Sequence, residues 1–236
     1  MSRETIQWLN TNTLVGFTDK RGRAWHYRAS DQGDEPNHYP GAVPVEAVHR
    51  RLFGWQAVGC PLYVELPDLG GMPQVPDRKA IVRDDTGHVL GIFSGGYEPH
   101  QYGEWLVERV SAILDDGLAI GSAGLLRNGA QAWVSVEVPE NITTPEGVEF
   151  RPNLLACTSF DGSLATTYKR VVTNVVCDNT MAAGLGEQGQ QLKIKHSKYS
   201  KLRIAEARDA LAIVHTISDD FAAEVKALCE TKVTDG

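Results

Sequence analysis

No apolar run in this chain approaches the roughly 20 consecutive residues that a membrane-spanning helix needs, and Met1 to Asn10 has no basic stretch leading into an apolar one. A membrane span and a secretory leader are therefore not expected, and the reading is of a soluble protein acting in the cytoplasm. Cysteine is scarce. Cys60, Cys157, Cys177 and Cys229 form no C-x-x-C pair and none stands beside a histidine, which argues against a zinc module or a dense disulfide framework and leaves packed free thiols. The signatures G-x-x-x-x-G-K-[ST], G-x-S-x-G and H-E-x-x-H are missing, and "GLGEQGQ" at 184–190 is not placed between a strand and a helix. No two of the seven histidines are three or four residues apart, so a metal site has no support in the spacing. No cofactor and no catalytic motif are expected. Asp84-Asp85, Asp115-Asp116 and Asp219-Asp220 fall at expected turns or helix starts, where solvation or capping accounts for them.

What is present is an ordinary globular composition: 236 residues, 42% apolar and 22% charged, enough for one sizeable core or two modest ones. The net charge of −7 argues against a uniformly basic nucleic-acid binder, but its distribution is uneven. Residues 1–150 carry −8, residues 151–203 carry +5 and residues 204–236 carry −4, so a positive belt lies between two acidic ends.

Along the chain, residues 1–74 read as an irregular N-terminal arm with a short helix in "PVEAVHRRLFGW", and 75–236 as the main domain. Asp85-Thr86-Gly87 sits between two β-rich runs and predicts a hairpin. Gln101 to Leu114 places Tyr102, Trp105, Leu106, Val110 and Ile113 on one helical face. Arg127-Asn128-Gly129 predicts a tight primed turn into the alternating stretch Ala132 to Val138, and Asp161-Gly162 marks another turn between strands. "RVVTNVVCDNT" then reads as a buried strand, Val171, Val172, Val175 and Val176 facing the core, handing over to a helix capped by Asn179 or Thr180. Two helical stretches close the chain, interrupted near Ser218. The order predicts an α+β fold with a mainly antiparallel sheet packed against helices.

The belt peaks at "KIKHSKYSKLR", where Lys193, Lys195, Lys198, Lys201 and Arg203 accompany His196 and Tyr199 without an acid. The Lys193 and Lys195 spacing suggests one face of an extended segment, able to neutralise phosphates while Tyr199 offers a stacking face. A solvated basic loop complementary to the acidic ends is the competing explanation, and composition does not separate the two. Arg127, Arg151, Lys169 and Arg170 belong to the strand system and are candidates for the same groove. His26, beside Trp25, reads as a hydrogen-bonded structural histidine.

"GRAWHYRA", "GWQAVGCPLYV", "LLACTSFDGSLA", "RVVTNVVCDNT" and "KIKHSKYSKLRIAEARDAL" resemble, in order, the landmarks of a phage/plasmid-like family known as a domain of unknown function. The resemblance spans about Gly22 to Leu211. Thr158-Ser159-Phe160 stands where that family has Asn-Ser-His, Thr173-Asn174-Val175 is inserted before the Val-Cys, and His196-Ser197 stands where His-Thr is usual. The missing turn histidine puts a catalytic role for that position in doubt. The family implies a mobile-element context more than a chemistry. The expected architecture is similar to the core of phage single-strand annealing proteins of the Red-beta, Erf and Sak kinds. That similarity implies ATP-independent annealing of single-stranded DNA in recombination, within a bacterial host cell, by a homo-oligomeric ring or helical filament. The alternatives are a metal-dependent nuclease of the mobile element and a non-enzymatic host-defence antagonist.

Overall fold

The structure, a computed structural model, describes residues 3–68, 70–113, 119–137, 142–143, 147, 149–188, 191–200 and 230. Thr5 opens α1 (Ile6–Asn12), its hydroxyl accepting from the Trp8 amide at 3.1 Å, and β1 (Thr13–Val15) follows without a break. After the single turn α2 (Thr18–Arg21), Pro44 leads into α3 (Val45–Arg51), which carries His49, Arg50 and Arg51 in its last turn, where the helix dipole favours positive charge. The strands β2 (Ala57–Tyr63), β3 (Gln74–Arg83) and β4 (Val89–Ser94) form a three-stranded antiparallel sheet, with the expected hairpin at Asp85 to Gly87. The expected amphipathic helix begins as a wide turn over Gly103–Glu108 and continues as α4 (Arg109–Ile113), burying Trp105, Leu106 and Val107.

The main sheet takes β5 (Ile120–Leu126), β6 (Gln131–Glu137), β9 (Asn153–Ser159), β10 (Thr166–Val171) and β11 (Gln191–Ile194), after a small pair β7 (Ile142–Thr143) and β8 (Glu149–Phe150). Its order is β1-β5-β6-β9-β10-β11, every pairing antiparallel, and α5 (Asp178–Gly186) lies in sequence between the last two strands. The fold is α+β with antiparallel sheets, as the element order predicts.

Alternation along these strands divides the interior in two. Ala132, Val134, Val136, Leu154, Ala156 and Tyr168 enter the larger core with α3, the 103–113 helix and the three-stranded sheet. Trp133, Leu155, Cys157 and Val171 enter the smaller one, with Leu9, Val175, Cys177 and Met181. The central strands are thus covered on both sides. The stretch read as an irregular arm supplies α1, the edge strand β1 and α3, with Leu14, Val43, Val48 and Leu52 in the larger core and Leu9 in the smaller.

Gly124 pairs with Trp133, whose indole lies across it so closely that any Cβ at 124 would overlap the ring. The indole nitrogen donates to the Ser122 hydroxyl at 3.2 Å, and that hydroxyl donates to the Val175 carbonyl. This chain of bonds pins the segment after β10 onto the sheet. Val171, Val175 and Val176 are buried as expected, whereas Val172 is only half-buried.

Two local expectations are corrected. Strand pairing at the β5–β6 connection ends at Leu126 and Gln131, leaving four residues rather than two, and Arg127, Asn128 and Gly129 have φ of 51°, 55° and 91°. The left-handed run suits Asn and Gly. Arg127 is held in it by its amide, which donates to Glu4 Oε1 at 2.8 Å, and by an ion pair with Asp161 at 3.0 Å. At α5 the cap is Cys177, and Thr180 stands three residues inside, its hydroxyl accepting from the Cys177 amide at 3.0 Å to close a capping box. Asn179 is exposed.

Candidate functional site

Residue alternation carries the chemistry of the last edge strand. Leu192 and Ile194 pack toward the larger core, while Gln191, Lys193 and Lys195 are exposed on the opposite face. Beyond them the chain makes a turn fixed by Ser200, whose hydroxyl accepts from the Ser197 amide at 3.0 Å and donates to the Lys195 carbonyl at 2.6 Å. That turn exposes Lys198 and Tyr199, the latter at 62%, with the ammonium 5.1 Å from the phenol ring centroid. Among the described residues, none of these three lysines is in an ion pair.

The other expected contacts are dispersed. Arg151 is exposed two residues before β9, Arg170 is half-buried on β10, and Arg127 sits on the β5–β6 loop paired with Asp161. Lys201 and Arg203 lie outside the described residues, as do the expected terminal helices apart from Glu230. Lys169 departs from the expectation that it faces a groove. It is 2% exposed, and its ammonium donates to the carbonyls of Leu185, at 2.7 Å, and Glu187 at the end of α5. Burial lowers its pKa, with Glu187 acting the other way. The Glu187 carboxylate in turn accepts from the amides of Val172 and Thr173 at 2.7 and 2.8 Å, so the pair clasps α5 to the end of β10 just before the basic edge.

His196 also turns inward. It joins a column of parallel rings: Phe93 on Tyr97 at 3.9 Å, Tyr97 on His196 at 5.1 Å, His196 on His100 at 4.1 Å and His100 on Trp105 at 3.5 Å. The Arg109 guanidinium caps the column 4.2 Å from the Trp105 ring. His100 Nδ1 meets the Thr166 hydroxyl at 2.6 Å, and His196 Nε2 meets the Thr158 hydroxyl at 2.8 Å. The other nitrogen of each ring is buried without a hydrogen-bond partner among the described residues. Burial pushes His196 down to about 4 and, helped by His196 and Arg109, His100 down to about 2, so both rings are neutral at pH 7. Among the described residues no carboxylate is hydrogen-bonded to either imidazole, so nothing here orients a general base toward Thr158 or Thr166. The column is a neutral rivet that anchors the turn after β11. Sequence spacing missed it because His196 comes from 91 positions beyond Trp105.

His26 is fully buried, and its Nε2 meets the Val176 carbonyl at 3.1 Å, the structural role expected for it. A cleft of about 380 Å³ opens beside the start of α5, between the Arg127 loop, the Asp161 turn and residues Arg3 and Glu4. Two of the landmark segments, around Ser163 and around Asp178, therefore meet in space. Among the described residues no group of three His, Cys, Asp or Glu is arranged to hold a metal ion, and no helix is long and apolar enough to cross a membrane.

Comparison with curated proteins and with solved structures returns no match. A family profile described as a domain of unknown function, DUF932, matches residues 89–236, a span that holds the basic edge, the whole histidine column and both landmark segments at the cleft. The chain belongs to the DUF932 family.

Proposed function

We propose that this protein is a phage- or plasmid-encoded single-stranded DNA-binding and annealing protein that works in recombination without ATP. The observation that carries the reading is the edge of the main sheet, where Lys193, Lys195 and Lys198 are exposed and without ion pairs among the described residues, beside an exposed Tyr199. Lys193 and Lys195 stand about 7 Å apart along the strand, a spacing suited to successive phosphates of an extended chain. Tyr199 supplies a face for one base, and the strand otherwise keeps its bases available for pairing. Annealing needs no catalytic residue in this scheme. The acidic stretch 1–150, at −8, and the basic belt, at +5, are complementary. They favour assembly of copies into a ring or helical filament that lines the lysines along one path.

The direct test is fluorescence anisotropy with an oligothymidylate in low salt, together with an ATP-free assay of annealing between complementary oligonucleotides. The wild type is expected to bind, to accelerate annealing and to form rings or filaments in electron micrographs. A variant with Lys193→Glu, Lys195→Glu and Lys198→Glu is expected to lose binding and annealing while remaining folded. A wild-type protein that stays monomeric and binds no DNA in low salt refutes the proposal.

A further inference from the structure

The cleft beside α5 lies on the same face of the main sheet as the Lys193 side chain. Lys193 is the cross-strand partner of Thr167, Thr167 of Cys157 and Cys157 of Trp133, so all four project to one side, and Leu126, Gln131 and Met181 wall the cleft on that side. Its floor is aliphatic, formed by Leu126, Leu164, Met181 and Leu185. Its rim is polar and carries charges of both signs. Glu4 and Asp178 are fixed there, accepting from the amides of Arg127 at 2.8 Å and Arg3 at 2.7 Å. The Gln131 amide is set by its bond to the Ser163 hydroxyl at 2.6 Å, while the exposed Asn179 amide makes no hydrogen bond among the described residues. An apolar floor with a few fixed polar groups at its edge is the usual form of a small-molecule site. About 380 Å³ is room for a nucleoside.

We infer that this cleft is a pocket for a single nucleobase bearing an exocyclic amine. The aliphatic floor takes the flat faces of the ring. The carboxylates of Glu4 and Asp178 accept from the amine, as acidic side chains do from cytosine N4, and the Asn179 and Gln131 amides complete the edge. The two rim carboxylates are balanced by Arg3 and Arg127, the latter already paired with Asp161, so the rim has no net positive charge to draw a phosphate, and backbone and base are handled at separate places. Thymine presents a carbonyl oxygen where cytosine presents an amine, and that oxygen would face a carboxylate. In the context of the proposed function, on which the DNA role of this pocket rests, each protomer anchors one base here besides the one on Tyr199 and leaves the others free.

Isothermal titration with deoxycytidine and thymidine, neither of which carries a phosphate, reads the cleft without the lysines. Deoxycytidine is expected to bind saturably and thymidine about tenfold more weakly, the effect of one charge-assisted hydrogen bond. Ala182→Trp fills the cleft from an exposed lining position and is expected to abolish binding, whereas Ala183→Trp, one residue along and outside the cleft, keeps it. Asp178→Asn is expected to erase the preference for deoxycytidine, and circular dichroism confirms that each variant is folded. Equal binding of both nucleosides, binding that survives Ala182→Trp, or no binding by the folded wild type overturns the inference. Salt-dependent oligothymidylate binding with no nucleoside binding removes the pocket and leaves the basic edge. Nucleoside binding without oligonucleotide binding does the reverse.

Discussion

The two faces of the six-stranded sheet solve the burial of nitrogen in different ways. On one face the imidazoles of His100 and His196 are kept neutral, packed between Tyr97 and Trp105, and hydrogen-bonded to threonine hydroxyls. On the other, Lys169 is buried as a donor to two carbonyls at the end of α5, with the Glu187 carboxylate close by. Strand β11 joins the faces, because Ile194 and His196 turn toward the first while Lys193 and Lys195 project from the second. One strand thus anchors itself with a neutral ring and presents its cations to solvent. Anchoring and charge display are separable, and substitutions should reveal that.

The largest effect is expected inside the face that carries α5. Trp133→Ala removes the indole that fills the smaller core and orients Ser122 toward Val175, and should cost about 3–5 kcal/mol in urea unfolding. Acid should act next, and on the opposite face. His100 has an ordinary value of 6.5 when unfolded and about 2 in the fold, so the unfolded chain binds the extra proton. Stability is therefore full above pH 6.5 and falls as the pH drops below it, by about 3 kcal/mol over two units for this ring. His196, His26 and His38 act in the same direction, since burial lowers all three. His100→Phe, which keeps the ring stack, should give a visibly shallower decline between pH 6.5 and 4.5. An unchanged decline would show that His100 is not what titrates.

Lys169→Met leaves the carbonyls of Leu185 and Glu187 without their donor and should cost about 1–3 kcal/mol. Its effect on DNA affinity should be confined to what the loosened clasp does to β11, because the native ammonium is inaccessible. Smallest of all, charge reversal at Lys193, Lys195 and Lys198 together should shift unfolding by no more than about 0.5 kcal/mol, as these side chains are exposed. A large loss of stability there would mean that the basic edge is structural after all.

The parts legible in the sequence are those that depend on neighbours along the chain. The Asp85 to Gly87 hairpin, the helix after Gln101 and the Lys193, Lys195 alternation follow from local periodicity, and the structure has each of them. What escaped depends on residues far apart. The ring column gathers Phe93, Tyr97, His100 and Trp105 from one segment and His196 from another, and no spacing rule relates them. Lys169 looked like an available cation because burial of β10 on both sides is set by its neighbours β9 and β11. Arg127 was placed in a tight turn because the pull of Glu4 and Asp161 on that loop is tertiary. The same holds for the cleft, which brings together Glu4, Gln131 and Asp178.

The central claim, that the exposed edge of β11 and the turn behind it hold single-stranded DNA by its phosphates, is tested most directly by the salt dependence of oligothymidylate affinity. Each phosphate contact on a single strand contributes a slope of about −0.7 to log affinity against log salt. Replacing Lys193, Lys195 and Lys198 by glutamine should therefore make the slope shallower by about 2 while the unfolding curve stays in place. A slope that is the same in both proteins would contradict the account.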